Sequence, residues 1–135
     1  MARFYLMEVD KLKETLGKEP DQYTPETYSA LETVDKELVD GLDVLIKTVN
    51  ANLEKYRFAD AADSIYHFMW DQLASNYLES LKRLDDKARA LAVLRYVFMG
   101  CLKLLHPFMP FITEELWASM PKNTNEPLII SSWPE

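Results

Sequence analysis

An all-α bundle of three long helices and one shorter helix is the fold class this sequence predicts. Three observations carry it. Apolar residues recur every three or four positions through long stretches of the chain. Charged residues interleave with those stripes and supply a wet side opposite each. Prolines fall at the edges of the periodic stretches, at Pro25, Pro107 and Pro110, where helices start or stop.

The first helix is expected over 24–56. Thr24 supplies an N-cap oxygen, and Pro25 fits the first helical position. Tyr28, Leu31, Val34, Leu38, Leu42, Leu45, Val49, Leu53 and Tyr56 form one apolar stripe, with Glu32, Asp40, Asp43, Lys47 and Glu54 on the wet side. Gly41 interrupts the run at a cost of about 1 kcal/mol relative to alanine, which marks either close helix packing or a bend. After Arg57 and Phe58 the phase shifts. Ala62, Ile65, Met69, Leu73, Tyr77 and Leu81 then predict a second helix over 59–83. Asp85 and Asp86 offer an N-cap for a third, with Leu91, Leu94, Phe98, Cys101 or Leu102, and Leu105 on its apolar side.

The stretch "LLHPFMPFITEELW" at 104–117 reads as a corner between helices. Pro107 lacks an N–H and restricts His106, so the third helix stops there. Pro110 opens a fourth helix to about Met120, with Ile112, Leu116 and Met120 on its inner face and Thr113, Glu114 and Glu115 near its positive end. Phe108, Met109, Phe111, Ile112, Leu116 and Trp117 are expected to seal the bundle, and the His106 ring to cap the preceding helix. "PKNTNEPLIISSWPE" begins as a loop and continues as a brief extended run with an apolar tail, and an end just after Trp133 and Pro134 looks cut.

Composition bounds the function. The formal charge of -7 argues against broad, charge-driven nucleic-acid binding. No stretch is apolar for long enough to span a membrane, and the N-terminus acquires acids too early for a secretory signal; a cytoplasmic protein is expected. Neither GxGxxG nor GxxxxGK occurs, which removes those routes to a nucleotide. Cys101, the one cysteine, reads as a small buried hydrophobe.

Four constellations invite chemistry. Asp63, His67 and Asp71 share one helix side, but no second strip completes a metal shell, so a solvated polar face is expected. Glu114 and Glu115 are adjacent and diverge around their helix, which suits capping and solubility. Cys101 and His106 do not line up for nucleophilic catalysis. The basic stretch is more informative: Lys82, Arg83, Lys87, Arg89 and Arg95 stand against Asp85 and Asp86, with Arg57 as a possible extension. Cations of this kind either solvate helix ends or contact RNA phosphates and unstacked bases.

"KYRFADAADSIYHFMWDQLASNYLESLK" at 55–82, the 104–117 corner and "IISSWP" at 129–134 resemble the anticodon-binding domain of class I aminoacyl-tRNA synthetases, most closely that of the valine enzymes; "ARFYLM" at 2–7 resembles their entry to this domain. Pro107, Phe108, Pro110, Glu114, Glu115 and Trp117 match the wider group, and Tyr56, Arg57, Phe58, Asp60, Ala61, Ala62, Tyr66, Phe68 and Trp70 point to valine. In "WDQLASNYLE" the chain departs, with Leu73, Ala74, Ser75 and Asn76 where such enzymes show Phe, Cys, Asp and Trp, while Tyr77 and Glu79 match.

The resemblance implies a fragment that is itself non-catalytic: 1–23 connecting from a preceding catalytic part, 24–120 the anticodon-binding bundle, and 121–135 a segment truncated before any further extension. The HIGH and KMSKS signatures of the catalytic domain are absent from this sequence. The implied parent is a ligase using ATP and magnesium, and neither cofactor is expected in this piece. Implied partners are the anticodon stem-loop of tRNA and the parent's catalytic domain, with no membrane and a monomeric fragment. Arg57, Lys82, Arg83, Lys87, Arg89 and Arg95 are the candidate tRNA contacts, with no catalytic or metal residue. An isoleucyl or leucyl enzyme's module, or a helical protein-interaction domain, is the alternative.

Overall fold

A computed structural model describes residues 33–77, 87–119 and 126–134, without the side chains of 74, 76 and 87–91. Helix α1 spans Thr33–Glu54, α2 Phe58–His67 with a π-helical continuation over Phe68–Tyr77, α3 Lys87–Leu105 and α4 Pro110–Ser119. A short 3-10 turn, Leu128–Ile130, follows. No strand occurs among the described residues, and the predicted all-α bundle is what forms. The expected start at Thr24 and Pro25, the N-terminal segment and the turn holding Lys82 and Arg83 lie outside the described residues.

Helix α1 packs on α2, on the π-helical continuation and on α3, while α4 docks on α3 and carries the C-terminal turn. The stripe of α1 goes inward as expected: Leu38, Leu42, Leu45 and Val49 are buried, and Asp40, Asp43, Lys47 and Glu54 are exposed. Gly41 marks close packing: a Cβ there would lie 3.1 Å from Phe68 Cε2 and 2.5 Å from Gln72 Oε1. A Cβ on Gly100 of α3 would lie 3.1 Å from Leu42 Cδ2. A side chain at either position would displace a neighbour on the facing helix.

Tyr56 is a correction to the stripe. It is 81% exposed and adopts φ 59°, the left-handed conformation that ends many helices. The Arg57 N–H reaches back to the Asn52 carbonyl at 2.8 Å, closing the last turn of α1. Tyr56 ends the helix through its backbone and leaves its ring outside.

In α2, Ile65, Leu73 and Tyr77 are buried and Met69 partly so, in agreement with the predicted stripe, joined by Ala61 and Phe68. Ala61 lies one ordinary turn before Ile65, and ladder slippage accounts for Phe68 beside Leu73. In the π-helical stretch a turn takes more than four residues, so positions five apart share a side; Phe68 and Leu73 both go inward, and the Ser75 hydroxyl donates to the Trp70 carbonyl five residues back at 2.9 Å. Helix α3 is buried on more than one side, through Val93, Leu94, Val97, Phe98, Cys101, Leu102 and Leu104.

The corner folds differently from its pattern. Trp117 is buried as expected, but Thr113 and not Ile112 faces inward beside it, while Phe111 is 90% exposed and Met109 and Ile112 are about half exposed. Phe108 and Leu116 pack against the core as expected. Thr113 tolerates burial because its hydroxyl donates to the Met109 carbonyl at 2.7 Å. With that proton committed, Oγ1 accepts from His106 Nδ1 at 3.0 Å. His106 therefore ties the corner to α4 and does not cap α3. Glu114 likewise serves another element: its carboxylate accepts from the backbone N–H groups of Leu128 and Ile129 at 2.9 and 3.2 Å. Where an extended run was expected, residues 128–130 turn tightly and Leu128 is buried. The indole N–H of Trp117 donates to the Glu126 carbonyl at 3.0 Å, and that of Trp133 to Asn50 Oδ1 on α1 at 2.7 Å.

Candidate nucleic-acid interface

The expected basic candidates do not form one described cluster. Lys82 and Arg83 lie outside the described residues. Lys87 and Arg89 sit in the first turn of α3, with their backbone alone described. Arg57 is at the α1–α2 junction, where its Nε lies 3.3 Å from Asp60 Oδ2 in a solvent-exposed pair. Arg95 is half-buried on α3 and lines a cavity.

That cavity, about 330 Å³, opens between α1, α3, α4 and the C-terminal tail. Leu42, Ile46, Ala92, Met99 and Gly100 form its apolar part. Asp43, Arg95, Tyr96, Lys103 and Trp117 bring polar atoms and rings to the same space, and Pro134 borders it. The Lys103 ammonium stands 5.8 Å from the centroid of the Trp117 ring, a cation–π arrangement. Burial, aided by the Asp43 charge, raises the Tyr96 phenol above its ordinary value, so it stays protonated at neutral pH. Two cations against one carboxylate line this cavity in a protein of net charge -7.

A second feature is the outer face of α2. Phe58, Tyr66 and Trp70 are each more than half exposed, with Tyr56 beside them. Tyr66 and Trp70 hold their rings 5° from parallel with centroids 6.5 Å apart; Tyr56 and Phe58 meet edge to face at 6.2 Å. The charge beside these rings is mainly negative: Asp60 takes Arg57, and His67 sits 3.7 Å from both Asp63 and Asp71. Among the described residues, no three His, Cys, Asp or Glu side chains converge as a metal shell would. Sequence reasoning assigned this face to polar solvation and missed its rings, although Phe58, Tyr66 and Trp70 all fall off the buried stripe.

Both Cys101 and His106 are structural. Cys101 is fully buried, and burial pushes its thiol far up, which removes thiolate reactivity. No described helix is long and apolar enough to cross a membrane.

This all-α bundle has counterparts among known proteins. Residues 35–135 match the model of the anticodon-binding domain of tRNA ligase, and the chain belongs to that family. Its relatives narrow the class. The valine–tRNA ligase of Thermotoga maritima is 40% identical over 137 residues, covering 99% of this chain and 14% of that protein. That of Pseudothermotoga lettingae is 40% identical over 118 residues, 85% of this chain and 14% of the relative, and that of Bacillus cereus is 34% identical over 139 residues, 98% and 15%. The chain thus spans about a seventh of the length of these curated relatives. The family match runs through residue 120 to 135, so the corner and the tail belong to one matched unit.

Proposed function

We propose that this chain is the tRNA anticodon-side recognition module of a valine–tRNA ligase. The observation that carries the reading is the near-complete coverage of the chain by relatives of that name, together with the family match over 35–135. In this reading the ligase reaction, with its ATP and magnesium, belongs to the remainder of a cytoplasmic parent enzyme. The module's own work is to hold the anticodon stem-loop.

Arg57, Lys82, Arg83, Lys87, Arg89 and Arg95 remain the proposed tRNA contacts, because cations attract phosphate against an otherwise acidic background. Rings flanked by carboxylates on α2 suit a polypeptide neighbour better than a phosphate chain; the parent's catalytic part is the proposed occupant of that face.

The test is salt-dependent binding of the purified chain to tRNA-Val, with tRNA-Ile and tRNA-Leu as competitors. Preferential binding that weakens with salt is expected. Equal binding of all three removes the valine assignment, and failure to bind any removes the module reading. In the parent enzyme, neutralising Lys82, Arg83, Lys87 and Arg89 together raises the KM for tRNA while leaving tRNA-independent ATP exchange intact.

A further inference from the structure

We infer that the Tyr66 and Trp70 rings, with Asp63 and Asp71 beside them, form an arginine-binding surface on α2, where a guanidinium of the parent's catalytic part lies on a ring face and forks onto a carboxylate. The inference rests on the reading above that this polypeptide covers the face, and it names the chemistry of the contact.

Placement comes first. Asp63, His67 and Asp71 repeat at four residues, as do Tyr66 and Trp70, so a row of ionisable groups runs beside a row of rings on one side of the helix. The rows meet where the Tyr66 and His67 rings stand edge to face with centroids 5.6 Å apart. Tyr66 is 59% and Trp70 61% exposed, so most of each ring's surface lies in water. Lying 5° from parallel, the two rings offer a flat apolar platform of the kind that interfaces bury.

Charge decides what lies on it. At 3.7 Å from His67, neither Asp63 nor Asp71 is within hydrogen-bond distance of the imidazole. Among the described residues, no arginine or lysine pairs with either. Their oxygens are therefore open to a donor from outside. This pair repels a phosphate, and an aliphatic side chain would cover it without meeting its lone pairs. A guanidinium fits both rows: it is planar, so it stacks on a ring, and its N–H fork matches a carboxylate. Lysine brings a point charge without the plane. The first turn of the same helix already uses this chemistry, since Asp60 holds Arg57 at 3.3 Å beside the Tyr56 and Phe58 rings. The second ring pair has the carboxylates and lacks the arginine.

Backbone amide and indole chemical shifts of the full chain test this, with acetyl-Gly-Arg-Gly-amide and its lysine and citrulline counterparts as probes. The arginine peptide is expected to move the Trp70 indole and the Asp63 and Asp71 amide signals, and to bind less well as salt is added. It should bind about threefold or more tightly than the lysine peptide, the margin of an exposed stacked cation. Citrulline, flat but uncharged, should move nothing. The double variant Asp63→Asn, Asp71→Asn should abolish the arginine shifts, as should Trp70→Leu. Trp70→Tyr keeps a ring and should retain them, which separates lost stacking from lost folding.

Equal responses to all three peptides, or none, overturn the inference. Hydrogen exchange in the full-length parent separates this failure from failure of the docking reading. If residues 63–71 are better protected there than in the isolated chain while the arginine peptide fails, the docking reading stands and the arginine contact falls. Protection that appears only when tRNA-Val is added gives the face to RNA and overturns both. Absence of protection in either state removes the occupant and overturns the inference, whatever the isolated chain binds.

Discussion

The hydroxyl of Tyr77 donates a 2.7 Å hydrogen bond to Oδ1 of Asp35 inside the core, across 42 residues of chain. Asp35 is fully buried and Tyr77 is 2% exposed, so the bond fastens the end of the π-helical stretch to α1. A carboxylate taken out of water is tolerated only where partners meet it.

Tyr77→Phe keeps the ring and removes the donor. Hydrogen bonds to charged groups contribute about 1.5–3 kcal/mol, and the variant should lose about that much in urea denaturation with an unchanged m-value. Equal stability would show that Asp35 is held by its other contacts alone.

Tyr56 predicts the opposite sign. Its left-handed backbone disfavours any residue with a Cβ by roughly 1–2 kcal/mol, and glycine removes that cost while adding freedom to the unfolded chain. Tyr56→Gly should gain about 0.5–1 kcal/mol, read as a higher Tm.

Glu114 accepts two backbone N–H groups from the tail. Glu114→Gln replaces one acceptor oxygen by a donor and should cost about 1–2 kcal/mol. Hydrogen exchange locates the loss: the Leu128 and Ile129 amides should speed up, while Val97 in the core of α3 keeps its protection.

Cys101 sets an alkaline limit. Its folded thiol is raised above the ordinary 9.0 by burial, so the unfolded chain releases the proton first. The stabilisation is complete below pH 9 and is lost as pH rises beyond it, at up to about 1.4 kcal/mol per pH unit. Tyr96, also raised, adds to the loss above pH 10. Cys101→Ala should flatten the decline between pH 9 and 10, measured by denaturation at each pH.

Helix existence and the inward stripe of α1 were legible because burial on one side imposes a 3.6-residue period. The phase of α4 was not. Its pattern favoured Ile112, yet Thr113 takes the inward place because the Met109 carbonyl and His106 satisfy its hydroxyl; a period cannot register those partners. The π-helical widening of α2 was also invisible: Met69, Leu73 and Tyr77 fit spacings of four, and the five-residue step from Phe68 to Leu73 shows only in the fold. Arg95 was legible as a cation, but its cavity joins Asp43, Lys103, Trp117 and Pro134 from four separate stretches of chain. Only the fold brings them together.

The tail reaches back across the bundle, with Leu128 and Ile129 on Glu114, Glu126 on Trp117 and Trp133 on Asn50. Helix α4 has ten residues, too few to persist alone in water. On the ribosome, where residues emerge in order, α1, α2 and α3 can assemble first. The fourth helix then waits for the stretch to Trp133 to clear the exit tunnel. The last helix and the tail therefore order as a pair, each completing the other's polar contacts.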